Sequence, residues 1–185
     1  MTDIQIEKFA NIFRLAIEAA HEDDEIFAND PGFDNFPTGS CGDTCYLLAE
    51  YLRNMGVETI WYSAQREDWS HAWLVVKDGR VRQATPRFFQ WPEELRDVVA
   101  RYGVEHPEQS VDITRYEFED LQDGLIIDIT GDQFEDYHIP VYVGLLDSFH
   151  QSFDFNKAHD YDGINDGRLW SLYRIISRYL TSSKG

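Results

Sequence analysis

The chain has 185 residues, with 34 Asp and Glu against 16 Lys and Arg, and a formal charge of −18 with histidines neutral. That length fits one domain, and 43% hydrophobic with 15% aromatic residues supplies a sizeable core, which excludes global disorder. The negative balance argues against nucleic acid and anionic membranes as partners and favours basic peptides or amine-bearing groups, although an acidic surface also serves solubility alone.

Ile4, Ile6, Phe9, Ile12, Phe13, Ala16 and Ile17 recur at helical spacing, so the chain opens on an amphipathic helix packed on the core. Residues 1–20 carry Glu7 and Glu18 and no uninterrupted apolar stretch, unlike a signal-peptide core or a membrane span, and the expected location is cytoplasmic. Residues 21–39 are acidic and hold Pro and Gly, with a turn at Asn29-Asp30-Pro31-Gly32, and read as a loop. A second helix is expected from Ser40, because Leu47, Leu48, Tyr51, Leu52 and Met55 follow helical spacing and Gly56 stops it. Ser40 is its expected N-cap, with Asp43 in the first turn.

Two apolar, β-prone runs, 57–62 and 71–76, read as strands and are followed by the turn Lys77-Asp78-Gly79. The segment 80–121 shows no clear period, though Trp91-Pro92-Glu93-Glu94-Leu95 looks like a helix start with Pro at its first position. Residues 124–130 are a buried-strand candidate and 139–146 another. Leu169, Leu172, Tyr173, Ile176 and Leu180 give a closing helix over 164–180, with a frayed tail at 181–185. No domain linker and no repeat is evident beyond the short echo of Val111-Asp112-Ile113-Thr114 in Ile127-Asp128-Ile129-Thr130.

Cys41 and Cys45 lie one helical turn apart, a poor geometry for a bridge, so no disulfide scaffold is indicated. The two thiols are unequal. Cys45 shares its face with Leu48 and Leu52 and reads as core, whereas Cys41 sits at the helix start among Gly39, Ser40 and Gly42, where the backbone can approach a substrate. Unpaired N–H groups and the positive dipole end at that position stabilise a thiolate, and the same groups can hold an oxyanion. His71, opening a strand, can pair with the thiolate and act as general acid. Asp128 can take the other ring N–H and fix the tautomer. Asp112 competes because it too lies in an apolar-Asp-Ile-Thr context, but the strand around Asp128 is longer and more apolar, so a carboxylate there is costly to bury without a partner.

Phe36-Pro37-Thr38-Gly39-Ser40-Cys41-Gly42, His71-Ala72-Trp73-Leu74 and Asp128-Ile129-Thr130-Gly131-Asp132-Gln133-Phe134 resemble motifs of small bacterial proteins of the transglutaminase-like branch of the papain-like cysteine enzymes. The resemblance covers about residues 36–143. It implies an α+β fold in which a nucleophile helix packs on an antiparallel sheet, flanked here by the N- and C-terminal helices that the spacing predicts, and a Cys41–His71–Asp128 triad for acyl transfer at an amide bond. Such chemistry includes peptidase, isopeptidase, deamidase and transglutaminase-like reactions, with a protein or peptide substrate that can be Lys-bearing. The stretch 80–121 is longer than a strand connection needs and stands as an insertion: a lid, a specificity loop, a partner surface or plain packing.

Rival readings are a non-catalytic binding or regulatory module of the same fold and a thioester-dependent N-acyltransferase. A metal site from Cys41, Cys45, His71 and an acid lacks paired ligand spacing, and no glycine-rich phosphate loop joins a strand to a helix, so neither metal nor cofactor is expected. His21, His106, His138, His150 and His159 read as surface residues, with His138 and His150 near strand ends. Asp132 and Gln133, within a turn of Asp128, either shape the mouth of the site or support the strand end, the latter being the leading reading. Asn35 and Gln65 have no spacing argument for an oxyanion-hole role. Oligomeric state is not legible.

Overall fold

The computed structural model describes residues 1–82, 87–88, 112–113 and 116–182. In chain order it holds α1 (Asp3–Asp23), α2 (Glu25–Ala28), α3 (Cys41–Asn54), β1 (Thr59–Arg66), β2 (Trp69–Val76), β3 (Arg87–Phe88), β4 (Asp112–Ile113), α4 (Phe118–Leu121), β5 (Ile126–Asp128), β6 (Tyr142–Gly144), β7 (Asp154–Asp160) and α5 (Gly167–Ser182). Five strands form one sheet in the order β6-β5-β2-β1-β7, with every neighbouring pair antiparallel, and β3 pairs with β4 apart from it. The fold is therefore α+β. Among the described residues no helix is long and apolar enough to cross a membrane.

Local chemistry accounts for the element boundaries. Thr2 and Gln5 form a reciprocal capping box that starts α1. Asp166 accepts hydrogen bonds from the backbone of Arg168 and Leu169, so α5 begins at Gly167 rather than at residue 164, whose apolar side chain had extended the expected helix. The helix runs through Ser182, taking in the first two residues of the expected tail, and 183–185 lie outside the described residues.

Both faces of the sheet are covered, which is why its central strands read as apolar runs rather than alternating ones. Trp61, Ala72, Leu74, Val76 and Ile127 pack with α1, α3 and α5. On the other face Ile60, Tyr62, Trp73, Val75 and Ile126 lie beneath Phe134, Tyr137, Phe149 and Phe153. β1 and β2 are longer than the apolar runs at 57–62 and 71–76, because pairing carries on into the polar residues Gln65, Arg66, Trp69 and Ser70 as far as the hairpin turn. The strand expected over 139–146 contracts to Tyr142–Gly144. β7 was not anticipated. It is an edge strand bearing Asp154, Asn156, Lys157 and Asp160, so it lacks an apolar signature and takes its place through pairing with β1.

The helix start expected at Trp91-Pro92 lies outside the described residues, as does most of the 80–121 segment. Residues 21–39, read as a loop, include the single turn α2, which Asp24 caps through the backbone of Ile26 and Phe27.

Candidate functional site

The segment leading to Cys41 is packed rather than loose. Phe27, Phe33 and Phe36 make a run of ring contacts at 4.8 and 6.1 Å, and the Arg14 guanidinium lies 4.5 Å over Phe36. Gly39 then takes φ +77, a left-handed conformation that glycine adopts without a Cβ penalty, and turns the chain into α3.

Ser40 does not cap this helix. Its hydroxyl donates to the Pro37 carbonyl at 2.8 Å and makes no bond to the first-turn N–H groups, which leaves that end of the helix uncapped by a side chain. Asp43 in the first turn is tied to Arg168 of α5, and Arg168 also reaches Asp30 at 2.5 Å, so α5 and the preceding loop hold the head of α3 in place.

Cys41, His71 and Asp128 come together. His71 has no solvent exposure and its Nε2 donates to Asp128 Oδ2 at 2.8 Å. Strand alternation puts both residues on the face of the sheet that carries Trp73, Val75 and Ile126, and the imidazole sits among Trp73, Phe134, Phe149 and Phe153 at ring distances of 5.0 to 6.1 Å. With Nε2 occupied, Nδ1 is the nitrogen left for the thiol. Cys41 and Cys45 are both free cysteines.

The electrostatics follow from burial and pairing. Burial of the Cys41 thiol works against its ionisation, but the hydrogen bonding and charge of the His71 ring, together with the Ala72 backbone N–H, outweigh it and bring the thiol below its ordinary value. For His71 burial likewise opposes the charged form. The charge and hydrogen bond of Asp128, followed by Cys41, overcome it and push the ring up to about 9. Burial also opposes ionisation of Asp128, yet the His71 charge and the donors His150 and His71 hold its carboxyl well below the usual carboxylate range. Burial pushes the Cys45 thiol far up, and the nearby Cys41 and Asp128 add to that. The inequality between the two cysteines expected from their helix positions is present in the structure.

Residues that looked secondary in the sequence complete the site. Gln133 lies in a 3-10 turn, Gly131–Gln133, just after β5. Its Oε1 accepts the Gly39 N–H at 3.2 Å and its Nε2 donates to the Thr130 carbonyl at 2.9 Å, an arrangement that fixes the amide orientation. The same Nε2 lies 3.2 Å from His71 Nδ1. The neutral ring thus has Nε2–H on Asp128 and a lone pair at Nδ1, the tautomer able to take a thiol proton.

Asp132 is bound bidentately by the buried Arg14, which also donates to the Ile129 carbonyl at 2.7 Å. His150 is buried, contrary to the surface placement expected of it. Its Nε2 lies 3.2 Å from Asp128 Oδ2 and its Nδ1 lies 2.6 Å from Asp147 Oδ1. A polar side chain near a strand end carried no period by which to find it.

The other candidates fall elsewhere. Asp112 belongs to β4, outside the five-stranded sheet. Asn35 bonds Asp34 and Gln65 bonds the Glu67 carbonyl, both at exposed positions. His138 is exposed, His21 and His159 are partly buried, and His106 lies outside the described residues.

Among the described residues the one group with metal-ligand proximity is His71, Asp128 and His150, whose ligating atoms lie within 4.8 Å of one another. Cys41 and Cys45 are not in it. These atoms are joined to each other by ring-to-carboxylate hydrogen bonds, so an ion would have to displace those protons and part a buried network. A cavity of about 790 Å³ opens one turn along α3, lined by Asp43, Tyr46, His159, Asp160, Asp162 and Asp166 among others, with neither Cys41 nor His71 in its wall. Comparison of the chain with protein families, with curated proteins and with solved structures gives no match.

Proposed function

We propose that the protein is a thiol-dependent acyl-transfer enzyme acting on an amide bond, with Cys41 as nucleophile, His71 as general acid and base, and Asp128 as the acid that orients it. The observation that carries this reading is the division of the His71 ring: Nε2 is committed to buried Asp128 at 2.8 Å, while the thiol lowered by that same ring heads α3.

In the reaction the Cys41 thiolate attacks the carbonyl carbon, and the carbonyl oxygen takes the electron pair in an oxyanion facing the uncapped N–H groups of the α3 terminus. Collapse of this adduct breaks the C–N bond. The leaving nitrogen receives the proton from His71 Nδ1, and a thioester remains. For the second half, His71 removes a proton from water, or from an amine, which attacks the thioester and returns the free thiol. Water gives hydrolysis or deamidation, and an amine gives transamidation.

The resemblance of the Cys41, His71 and Asp128 motifs to the transglutaminase-like branch of papain-like enzymes supports the reading, and an antiparallel sheet with a helix headed by the cysteine is compatible with such a core. The acidic chain fits a cationic, Lys-bearing peptide or protein substrate.

Alkylation by iodoacetamide across pH, with the adduct mapped by mass spectrometry, tests the assignment. The expected result is labelling of Cys41 at pH 6 to 7 faster than an ordinary thiol, lost in His71→Ala, with Cys45 labelled only after unfolding. Slow labelling of Cys41, or labelling that is indifferent to His71, would sink the enzyme reading and leave the binding module.

A further inference from the structure

Asp128 serves two imidazoles, and the reaction proposed above uses only one of them. Its Oδ2 receives His71 Nε2 at 2.8 Å and His150 Nε2 at 3.2 Å, while its Oδ1 accepts the backbone N–H and the hydroxyl of Thr130 at 2.9 and 3.2 Å. His150 is in turn oriented by Asp147, which takes its Nδ1 at 2.6 Å and its backbone N–H at 2.9 Å, and the other Asp147 oxygen accepts the Tyr137 hydroxyl at 3.0 Å. Both rings and Asp128 are enclosed, so no water competes for the two bonds that Asp128 receives from them.

The titratable groups facing His150 are Asp128 from β5, His71 from β2, a ring nitrogen of which lies within 4.8 Å of one of its own, Asp147 from its own turn, and Tyr137 and Tyr142, whose rings lie 5.7 and 5.1 Å away. Trp73 of β2 closes the remaining side at 5.0 Å. A side chain needed only to fill this space would be apolar. This one spends both nitrogens on carboxylates.

We propose that His150 is a positioning residue for the Cys41–His71 pair, acting through Asp128: it donates to the oxygen that receives His71 and thereby limits how strongly that carboxylate holds the His71 proton. The inference rests on the acyl-transfer reading. A carboxylate oxygen that accepts two charge-assisted hydrogen bonds gives less of its density to each. With His150 in place His71 remains able to release its proton to a leaving nitrogen. Without it, Asp128 binds the imidazolium alone and keeps the proton on the ring. His150 touches neither the thiol nor a reacting atom in this scheme, and its action is on the acid strength of His71.

The test is the ring titration of His71 by NMR in a Cys41→Ala background, with the resonance assigned by its loss in His71→Asn. Replacing His150 by Phe keeps a ring in the cavity and removes the donor. The His71 midpoint is then expected to rise by about one pH unit, the scale of one charge-assisted hydrogen bond removed from its carboxylate. His150→Gln restores an N–H at the Nε2 position and is expected to return the midpoint most of the way.

An unchanged or lowered midpoint in folded His150→Phe overturns the proposal. Should the Phe variant fail to fold, His150→Gln and His150→Asn decide, because the first keeps the donor toward Asp128 and the second only the contact toward Asp147; equal midpoints in these two overturn it. Cys41 alkylation in the otherwise native protein separates the layers. Labelling indifferent to His71 refutes the acyl-transfer reading, whereas labelling that depends on His71 together with an unmoved His71 midpoint refutes the role of His150 alone.

Discussion

Replacing Asp128 with Asn removes the charge on which the His71 proton depends while keeping the side-chain volume. The ring goes from its ordinary 6.5 to about 9 in the folded protein, and at about 1.4 kcal/mol per pH unit this difference corresponds to about 3 kcal/mol of folding free energy. Neither side chain is exposed beyond 1%, so solvent screening takes little from that figure. It agrees with the ~3–5 kcal/mol typical of breaking a buried pair by removing one partner.

The sign is that of a base with a raised folded value. The contribution is fully present below pH about 6.5 and is lost as pH rises through about 9, because the unfolded chain gives up the proton first. Cys41 must be absent for this to be visible. A thiolate–imidazolium pair formed by internal transfer binds the same number of protons as the neutral thiol and ring, so its pH slope cancels. In Cys41→Ala, where the ring also loses the part of its rise that Cys41 supplies, urea unfolding between pH 6 and 10 is expected to show stability falling by less than about 3 kcal/mol. Adding Asp128→Asn should flatten the fall and lower stability at pH 6 by a similar amount. Parallel pH profiles for the two proteins would refute the assigned role of Asp128.

Two further substitutions probe the supports around the site. Arg14→Met leaves the Ile129 carbonyl and Asp132 without their buried donor, and since Asp132 and Glu18 are partly solvated the expected cost is about 2 kcal/mol in urea unfolding; a change under about 0.5 kcal/mol would mean that solvent replaces the guanidinium freely. Gly131→Ala puts a Cβ 2.7 Å from the Tyr137 ring and 2.8 Å from Asp128 Oδ2, so Asp128 or Tyr137 must shift. The expected outcome is a loss of about 1–3 kcal/mol together with slower Cys41 alkylation, and an alanine variant with native stability and labelling would show that this turn yields without cost.

What the sequence made legible was whatever repeats or stands out chemically. The α1 and α3 stripes have helical period, the apolar runs of β1, β2 and β5 mark strands buried on both faces, and Cys41, His71 and Asp128 stand at the start or within such elements. What it hid was paired or loop-borne. β7 is polar and exists through its register with β1. The Ser40 hydroxyl had a nearer acceptor in the Pro37 carbonyl than the helix N–H groups its residue type favours. His150, Gln133 and Arg14 reach the site from a turn, a 3-10 turn and an exposed-looking stretch of helix, and side chains on such elements acquire their partners only when distant segments meet.

The site is built in two halves that meet at the end of β2. His71, Asp128, His150 and Asp147 form a unit on the sheet face covered by Phe134, Phe149 and Phe153, while Cys41 belongs to the helical layer on the opposite face, held through Asp43 and Arg168. The thiol therefore does not meet the ring through the sheet but at the end of the strand, where β2 passes from the exposed Trp69 and Ser70 to the buried His71 and Ala72. Gln133 spans the junction, with one amide atom on Gly39 before the helix and the other between Thr130 and the His71 ring. A shift of α3 along the sheet would thus alter the Cys41–His71 contact while leaving the imidazole–carboxylate unit intact.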